Sequence, residues 1–196
     1  MASMTRTRRA RRDDLIAATV RVIVREGIAA ASIERIAAEA GTSKGTALYH
    51  FAGKEELYAA VTTSLFDAGR AFMTERILSA PDTPRDRIEA YLDSNLRFIA
   101  DHVDHVVATQ EIVRRTGAVP DGDAIAPLRA MLEAGQRDGS FGAFDADFVA
   151  RMIRDLVDGA AYYYPQRPGL DREHFVAEGV GLVLRAIGAA DRAGPR

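Results

Sequence analysis

The chain has 196 residues, 47% of them hydrophobic and 28% charged, with a formal net charge of −2. That is room for one globular unit or two small ones. No apolar run approaches the roughly 20 residues that cross a bilayer, no signal-peptide core follows the basic N-terminus, and the absence of cysteine excludes disulfides, thiol catalysis and cysteine-ligated zinc. The expectation is a cytoplasmic protein with no membrane partner and no cofactor.

Apolar residues recur at helical spacing along almost the whole chain, and period-2 alternation is nearly absent, so the expected fold is all-α. Leu15, Thr19, Val22 and Ile23 outline a first helix that Gly27 stops. Ser32 can cap a short second helix with Ile33, Ile36, Ala37 and Ala40 inward, and Gly41 ends it. Ser43 can cap a third, running to about Phe51. Gly53 precedes a long fourth with Leu57, Val61, Leu65, Phe72 and Ile77 along it, and Pro81 and Pro84 punctuate the next loop. Ile88, Leu92, Asn95 and Ile99 line a fifth helix. Val103, Val106, Val107, Gln110 and Val113 line a sixth, which residues 117–120 end. A seventh covers about 124–137, GSFGAF (139–144) is a loop, and Asp145 can cap an eighth helix to about Tyr163. PQRPG (165–169) breaks the chain, Asp171 can cap a ninth helix ending near 190, and the tail DRAGPR is expected to fray. The plan is about nine helices, three short ones followed by six longer ones.

Charge is uneven along this plan. Residues 1–54 carry 10 Lys and Arg against 5 Asp and Glu, while the remainder carries 16 against 23. A basic end on an acidic body suits contact with a polyanion; the alternative is a solvated basic tail, MASMTRTRRARR. Helices two and three with their glycine turn, IERIAAEAGTSKGTALYHF, have the spacing of a helix-turn-helix, or of a generic pair of antiparallel helices. Gly41 supplies the left-handed backbone of the turn. Ile36, Ala37 and Leu48 are expected to meet between the two helices. Gly45 costs helix stability, and is useful where another backbone must come near. Lys44 and Lys54 each stand at a helix start, where positive charge is unfavourable unless an anion shares the site.

Residues 15–61 resemble the DNA-binding domain of the tetracycline-repressor (TetR) family of transcriptional regulators. The resemblance rests on Ile36-Ala37, Glu39-Ala40-Gly41, Ser43-Lys44-Gly45-Thr46, Tyr49-His50-Phe51 and Lys54-Glu55-Glu56-Leu57. The chain departs from the family pattern at three places. Ala47 stands where a branched apolar residue is usual, Leu48 where a tyrosine is usual, and Thr42 where valine is common. Either Tyr49 takes over the phosphate contact of that tyrosine from a different angle, or the contact is lost and Leu48 packs.

The resemblance implies a basic arm and helix-turn-helix in residues 1–54, and a helical effector-binding and dimerisation domain in 55–196. It implies a third helix lying in the major groove of an operator, with Thr42, Ser43, Lys44, Gly45 and Thr46 at its start. Tyr49 and His50 then meet phosphates at the groove wall, or are ordinary half-buried packing. Lys54 holds one more phosphate, Arg35 is an outlying candidate, and Arg6, Arg8, Arg9, Arg11 and Arg12 follow the backbone or enter the minor groove. It implies a homodimer through helices eight and nine, using Phe148, Leu156, Tyr163, Phe175, Gly179, Val180, Val183 and Ile187. It also implies a small organic effector in a mostly apolar pocket. Asn95 and Gln110, polar residues on apolar faces, are its candidate polar groups, and Phe66, Met73, Phe98, Met131, Met152 and Tyr162 its walls. Hydrogen bonding within the chain is the other explanation of the two amides. DHVDH (101–105) reads as a helix start with acidic caps rather than a metal site, and no catalytic motif is found. The expected function is a ligand-responsive repressor, not an enzyme. The alternative is a small-molecule-binding helical protein without DNA binding.

Overall fold

A computed structural model describes residues 2–117, 125–167 and 169–189, with side chains from residue 7 onward. The expected helix end at 118–120, the start of the seventh helix at 124, Pro168, the tail from 190 and the Arg6 side chain lie outside the described residues. Among those described there are nine α-helices and no strand. They are α1 (Ala2–Glu26), α2 (Ile33–Glu39), α3 (Lys44–His50), α4 (Lys54–Ser79), α5 (Pro84–Asp101), α6 (Val103–Thr116), α7 (Ala126–Arg137), α8 (Ala146–Tyr163) and α9 (Arg172–Ala186). Short 3-10 turns cover Ile28–Ala30 and Tyr164–Gln166.

The helix starts follow local chemistry. Ser32 and Ser43 accept the backbone N–H of Arg35 and Thr46. Asp145 and Asp171 do the same for the first turns of α8 and α9, and Thr83 caps α5 ahead of Pro84. Each such cap is worth about 1 kcal/mol. The turn after α2 is a Schellman motif. Gly41 has φ 63, its N–H donates to the Ala38 carbonyl at 3.1 Å, and the Thr42 N–H donates to the Ala37 carbonyl at 2.9 Å. Two expectations about length are corrected. The first helix is not short: the arm is the N-terminal part of α1, because residues 2–14 hold neither glycine nor proline and are mostly good helix formers. The last helix stops before 190, because Gly188 (φ 67) ends it with the Ala189 N–H on the Leu184 carbonyl.

The chain divides into two compact units, Met1–Ala68 with Asp104–Pro120, and Gly69–Val103 with Asp121–Arg196. In the first, Leu15, Val22 and Ile23 of α1, Ile36 and Ala37 of α2, and Ala47 and Phe51 form one buried cluster. Leu57, Tyr58 and Val61 of α4 and Ala108 and Ile112 of α6 belong to the same cluster. Packing therefore groups the start of α4 and most of α6 with the helix-turn-helix, and the division by packing does not fall at residue 54. In the second unit α5 is central and touches α7, α8 and α9. Ile88, Leu92, Leu96, Leu128, Leu132, Ile153, Val157 and Leu184 are among its buried side chains.

Candidate nucleic-acid interface

At about 100° per residue, taking Lys44 as zero, Leu48 lies at about 40°, Gly45 at about 100° and Tyr49 at about 140°. Thr46, His50 and Ala47 complete the circle at about 200°, 240° and 300°. Burial divides the helix the same way. Ala47 and His50 are buried, and Thr46 is partly covered. Lys44 and Gly45 are exposed, with Leu48 42% and Tyr49 69% accessible. So α3 turns one compact arc outward. The expected contact of Leu48 with Ile36 and Ala37 is corrected: Ala47 is the inward residue, and its small size lets α2 and α3 approach closely.

Gly45 has no internal reason to be glycine. A Cβ there would meet only the Ser43 Oγ at 3.8 Å, ordinary contact. We expect Gly45→Ala to raise the urea midpoint, by up to about 1 kcal/mol of stability, while weakening duplex binding. Unchanged binding would mean that no foreign backbone approaches this point.

The polar groups around α3 are mostly engaged. Ser43 Oγ accepts the Thr46 N–H at 3.1 Å and lies 2.9 Å from the Thr46 hydroxyl. Thr42 is partly covered and follows the glycine turn. Lys44 pairs with Glu34 of α2, both exposed. Lys54, at the first position of α4, has no carboxylate within 4 Å among the described residues, and so leaves an uncompensated cation at a helix start. Glu56, two residues on, accepts the Ala52 N–H at 2.7 Å.

Three expected contacts look different in place. His50 is buried, and its Nδ1 has no hydrogen-bond partner among the described residues. Burial, then Arg8, Arg12 and Arg11, holds its pKa below the usual histidine value, so it stays neutral near pH 7 and is poorly suited to a charged phosphate contact. Arg35 lies between carboxylates, 2.9 Å from Glu26 Oε2 and 3.4 Å from Glu39 Oε2. Glu39 also takes Arg21 at 2.9 Å and Arg25 at 2.7 Å. Hydrogen bonds from Arg35 and then Arg25 pull Glu26 down to about 2, and bonds from Arg25 and then Arg21 do so for Glu39. The Arg35 charge is thus already answered inside the protein. The arm, finally, is not all free: the Arg12 guanidinium donates to the His50 carbonyl, lies 4.0 Å from the Phe51 ring centroid and 3.6 Å from Glu56. One turn earlier, Arg8 lies 5.5 Å from the centre of the Tyr49 ring. Arg12 fastens the end of α3, a role with no signal in the sequence.

Eight residues are expected to line an effector pocket. Phe66 and Gln110 belong to the first unit, and the other six to the second. Asn95 is buried and donates to the Tyr91 carbonyl at 2.8 Å. Phe98 is buried, stacked on His102 at 4.1 Å and 5.6 Å from the Phe72 ring. Met73 and Met131 are half-buried, while Met152 and Tyr162 face outward. A groove of about 650 Å³ lies along α5 and α9, rimmed by Asp86, Glu89, Asp93 and Glu173 over Val176, Val180 and Leu184, and none of the eight lines it.

Of the expected dimer residues, Phe148 is 59% accessible. Leu156 is half-buried, and Tyr163 stacks on Phe175 at 5.1 Å. A Cβ on Gly179 would lie 3.0 Å from Leu96. Val180, Val183 and Ile187 are buried and belong to the unit's own core, a correction to their expected place. The exposed large apolar residues on these helices are Phe148, Met152, Tyr162 and Leu182. On α8, helical spacing puts Phe148, Met152 and Gly159, read in the sequence as part of one apolar stripe, on one face with Tyr162.

A family profile described as "Bacterial regulatory proteins, tetR family" matches residues 15–61. The HTH-type transcriptional regulator BetI of Vibrio parahaemolyticus is 30% identical over 161 residues, 76% of this chain and 77% of that protein. The HTH-type transcriptional repressor KstR2 of Mycobacterium tuberculosis is 26% identical over 168 residues, 81% of this chain and 82% of that one. A crystal structure of a tetR-family regulatory protein from Rhodococcus RHA1 superposes with a TM-score of 0.79 at 25% identity, covering 92% of this chain and 98% of that one.

Proposed function

The chain belongs to the tetR family of bacterial regulatory proteins and is a DNA-binding transcriptional regulator, and from that premise we propose that it is a repressor that binds a palindromic operator as a homodimer and releases it when a small organic effector binds. The observation that carries the reading is the outward arc of α3: Lys44, Leu48, Gly45 and Tyr49 share one exposed face of a helix that follows a glycine turn. In this reading α3 lies in the major groove. Lys44 exchanges Glu34 for a phosphate or base edge, Thr42, Ser43 and Thr46 add hydroxyl contacts, and Tyr49 meets the backbone at the groove wall. Lys54 and the free N–H groups of the α4 start hold a further phosphate. Residues 1–54 do the reading, and 55–196 serve effector binding and dimerisation. Met73 of α4 and Phe98 of α5, both beside Gly69, suit an apolar ligand wall.

The test selects duplexes from a random pool with the purified chain and titrates salt on the recovered site. For Lys54→Ala we expect a salt slope about one unit shallower, with stability unchanged or higher by a few tenths of a kcal/mol, since a cation has left a helix start. An unchanged slope removes the Lys54 contact. Recovery of no preferred duplex removes DNA reading by α3.

A further inference from the structure

We infer that Leu48 is a base-reading residue whose partner is the 5-methyl group of thymine. The inference rests on the proposed seating of α3 in the major groove. A lone exposed leucine needs no explanation; this one is defined by its place. It lies near the middle of the outward arc of α3, between Lys44 and Gly45, where a side chain would meet the groove floor rather than its walls. Gly45 beside it leaves open space, so the helix can come close enough for a short apolar side chain to touch a base edge. Lys44 and Tyr49 stand at the two margins of the arc, where they reach phosphates. Leu48 itself is 42% accessible and so is not held in the chain's own core.

Chemistry then selects the partner. Leucine has no donor or acceptor, so it cannot satisfy the polar edges of guanine or adenine, and pressing it against them would strip water from those groups without replacement. Of the four bases only thymine shows a methyl group in the major groove. Burying that methyl against Leu48 is worth about fourfold in affinity per contact. The same geometry gives cytosine a way to mimic thymine, by methylation at C5.

The experiment takes the duplex recovered by the full chain from a random pool and rebuilds it with dU for dT, one position at a time. That change deletes only the methyl. We expect about fourfold weaker binding at one thymine of each half-site. A 5-methylcytosine duplex placed there should bind better than its unmethylated form, and Leu48→Ala should bind dT and dU versions equally. Leu48 is on the surface, so the variant keeps its fold, which thermal unfolding verifies. A specific duplex with no dU-sensitive thymine, or with the same dU penalty in Leu48→Ala, overturns the inference and leaves the DNA-reading proposal standing. Recovery of no preferred duplex overturns both.

Discussion

Replacing Gly135 with alanine is expected to destabilise the second unit by about 3 kcal/mol. Gly135 lies on α7, and a Cβ there would fall 2.0 Å from Cδ2 and 2.2 Å from Cε2 of Phe141. No real contact is that short, so the ring must leave. Phe141 is buried, and its backbone N–H donates to the Gly135 carbonyl at 2.9 Å, so loop and helix are tied at the very residue being changed. Gln136 adds a bond to the Phe144 carbonyl at 2.9 Å, and the Gly142 N–H donates to the Ile187 carbonyl at 2.9 Å. The loop is thus fastened on both sides of the ring and cannot slide to relieve the clash. Alanine loses the burial of a phenylalanine and leaves its site empty, which sets the magnitude and corresponds to a fall of about 10 °C in Tm for a chain of this size. Phe141→Ala should cost a similar amount. The double variant should then cost little more than Phe141→Ala alone, since the clash vanishes with the ring. Additive losses in urea unfolding would show that Gly135 is needed for another reason.

That pair marks the limit of what the sequence discloses. GSFGAF is readable as a loop, because glycine and serine cluster between two helical periods. That its phenylalanine closes over a glycine in the last turn of α7 is a contact between elements, and no local rule carries it. The caps lie at the opposite pole. Ser32, Ser43, Asp145 and Asp171 act on N–H groups two or three residues away, so sequence position alone places them. Gly41 and its turn are legible for the same reason. The register within α3 is intermediate. A larger apolar residue is expected inward and a small one outward, yet Ala47 is buried and Leu48 is not. On α9 the valines read as an interface turn out to be core, because α5 lies against that face. Spacing locates an apolar stripe but not the body that covers it.

The charges of residues 1–54 show the same limit. Residues 1–54 carry a basic surplus that is plain in the sequence, but its distribution is not. Arg12 turns to the end of α3, Arg35 to Glu26 and Glu39, and Lys44 to Glu34. Which cations remain for phosphate depends on where the acids of neighbouring helices fall. Lys54 is the clearest of them in the proposed reading, in which Lys44 must first release Glu34 to reach DNA. Both are exposed, so that release costs little.

Phe148→Glu combined with Met152→Glu is expected to turn a dimer into a monomer and to weaken binding to a full palindrome by 100-fold or more. Phe148 is 59% and Met152 46% accessible on α8, and Leu182 is 53% accessible on α9. Gly159, on the same side of α8, is exposed, and a Cβ there would find nothing within 4 Å. A helix interior with a glycine that no other described element touches, next to large exposed apolar groups, fits a second helix coming close. Burying two such side chains in each of two copies is worth several kcal/mol, at about 1.5–3 kcal/mol for a fully buried one. Two carboxylates on each copy would instead face each other across the two-fold axis. Palindrome binding depends on the link between the two heads, because the second head binds at an effective concentration near millimolar rather than from bulk solution. Losing it leaves half-site affinity, so binding to a single half-site should be the same for both proteins. Both substitutions are on the surface, and helix content and Tm at low concentration should therefore change little. Light scattering at micromolar concentration reads the first outcome and a duplex titration the second. A variant that remains dimeric moves the interface elsewhere, and a monomeric variant that grips the palindrome at full strength shows that one head is sufficient.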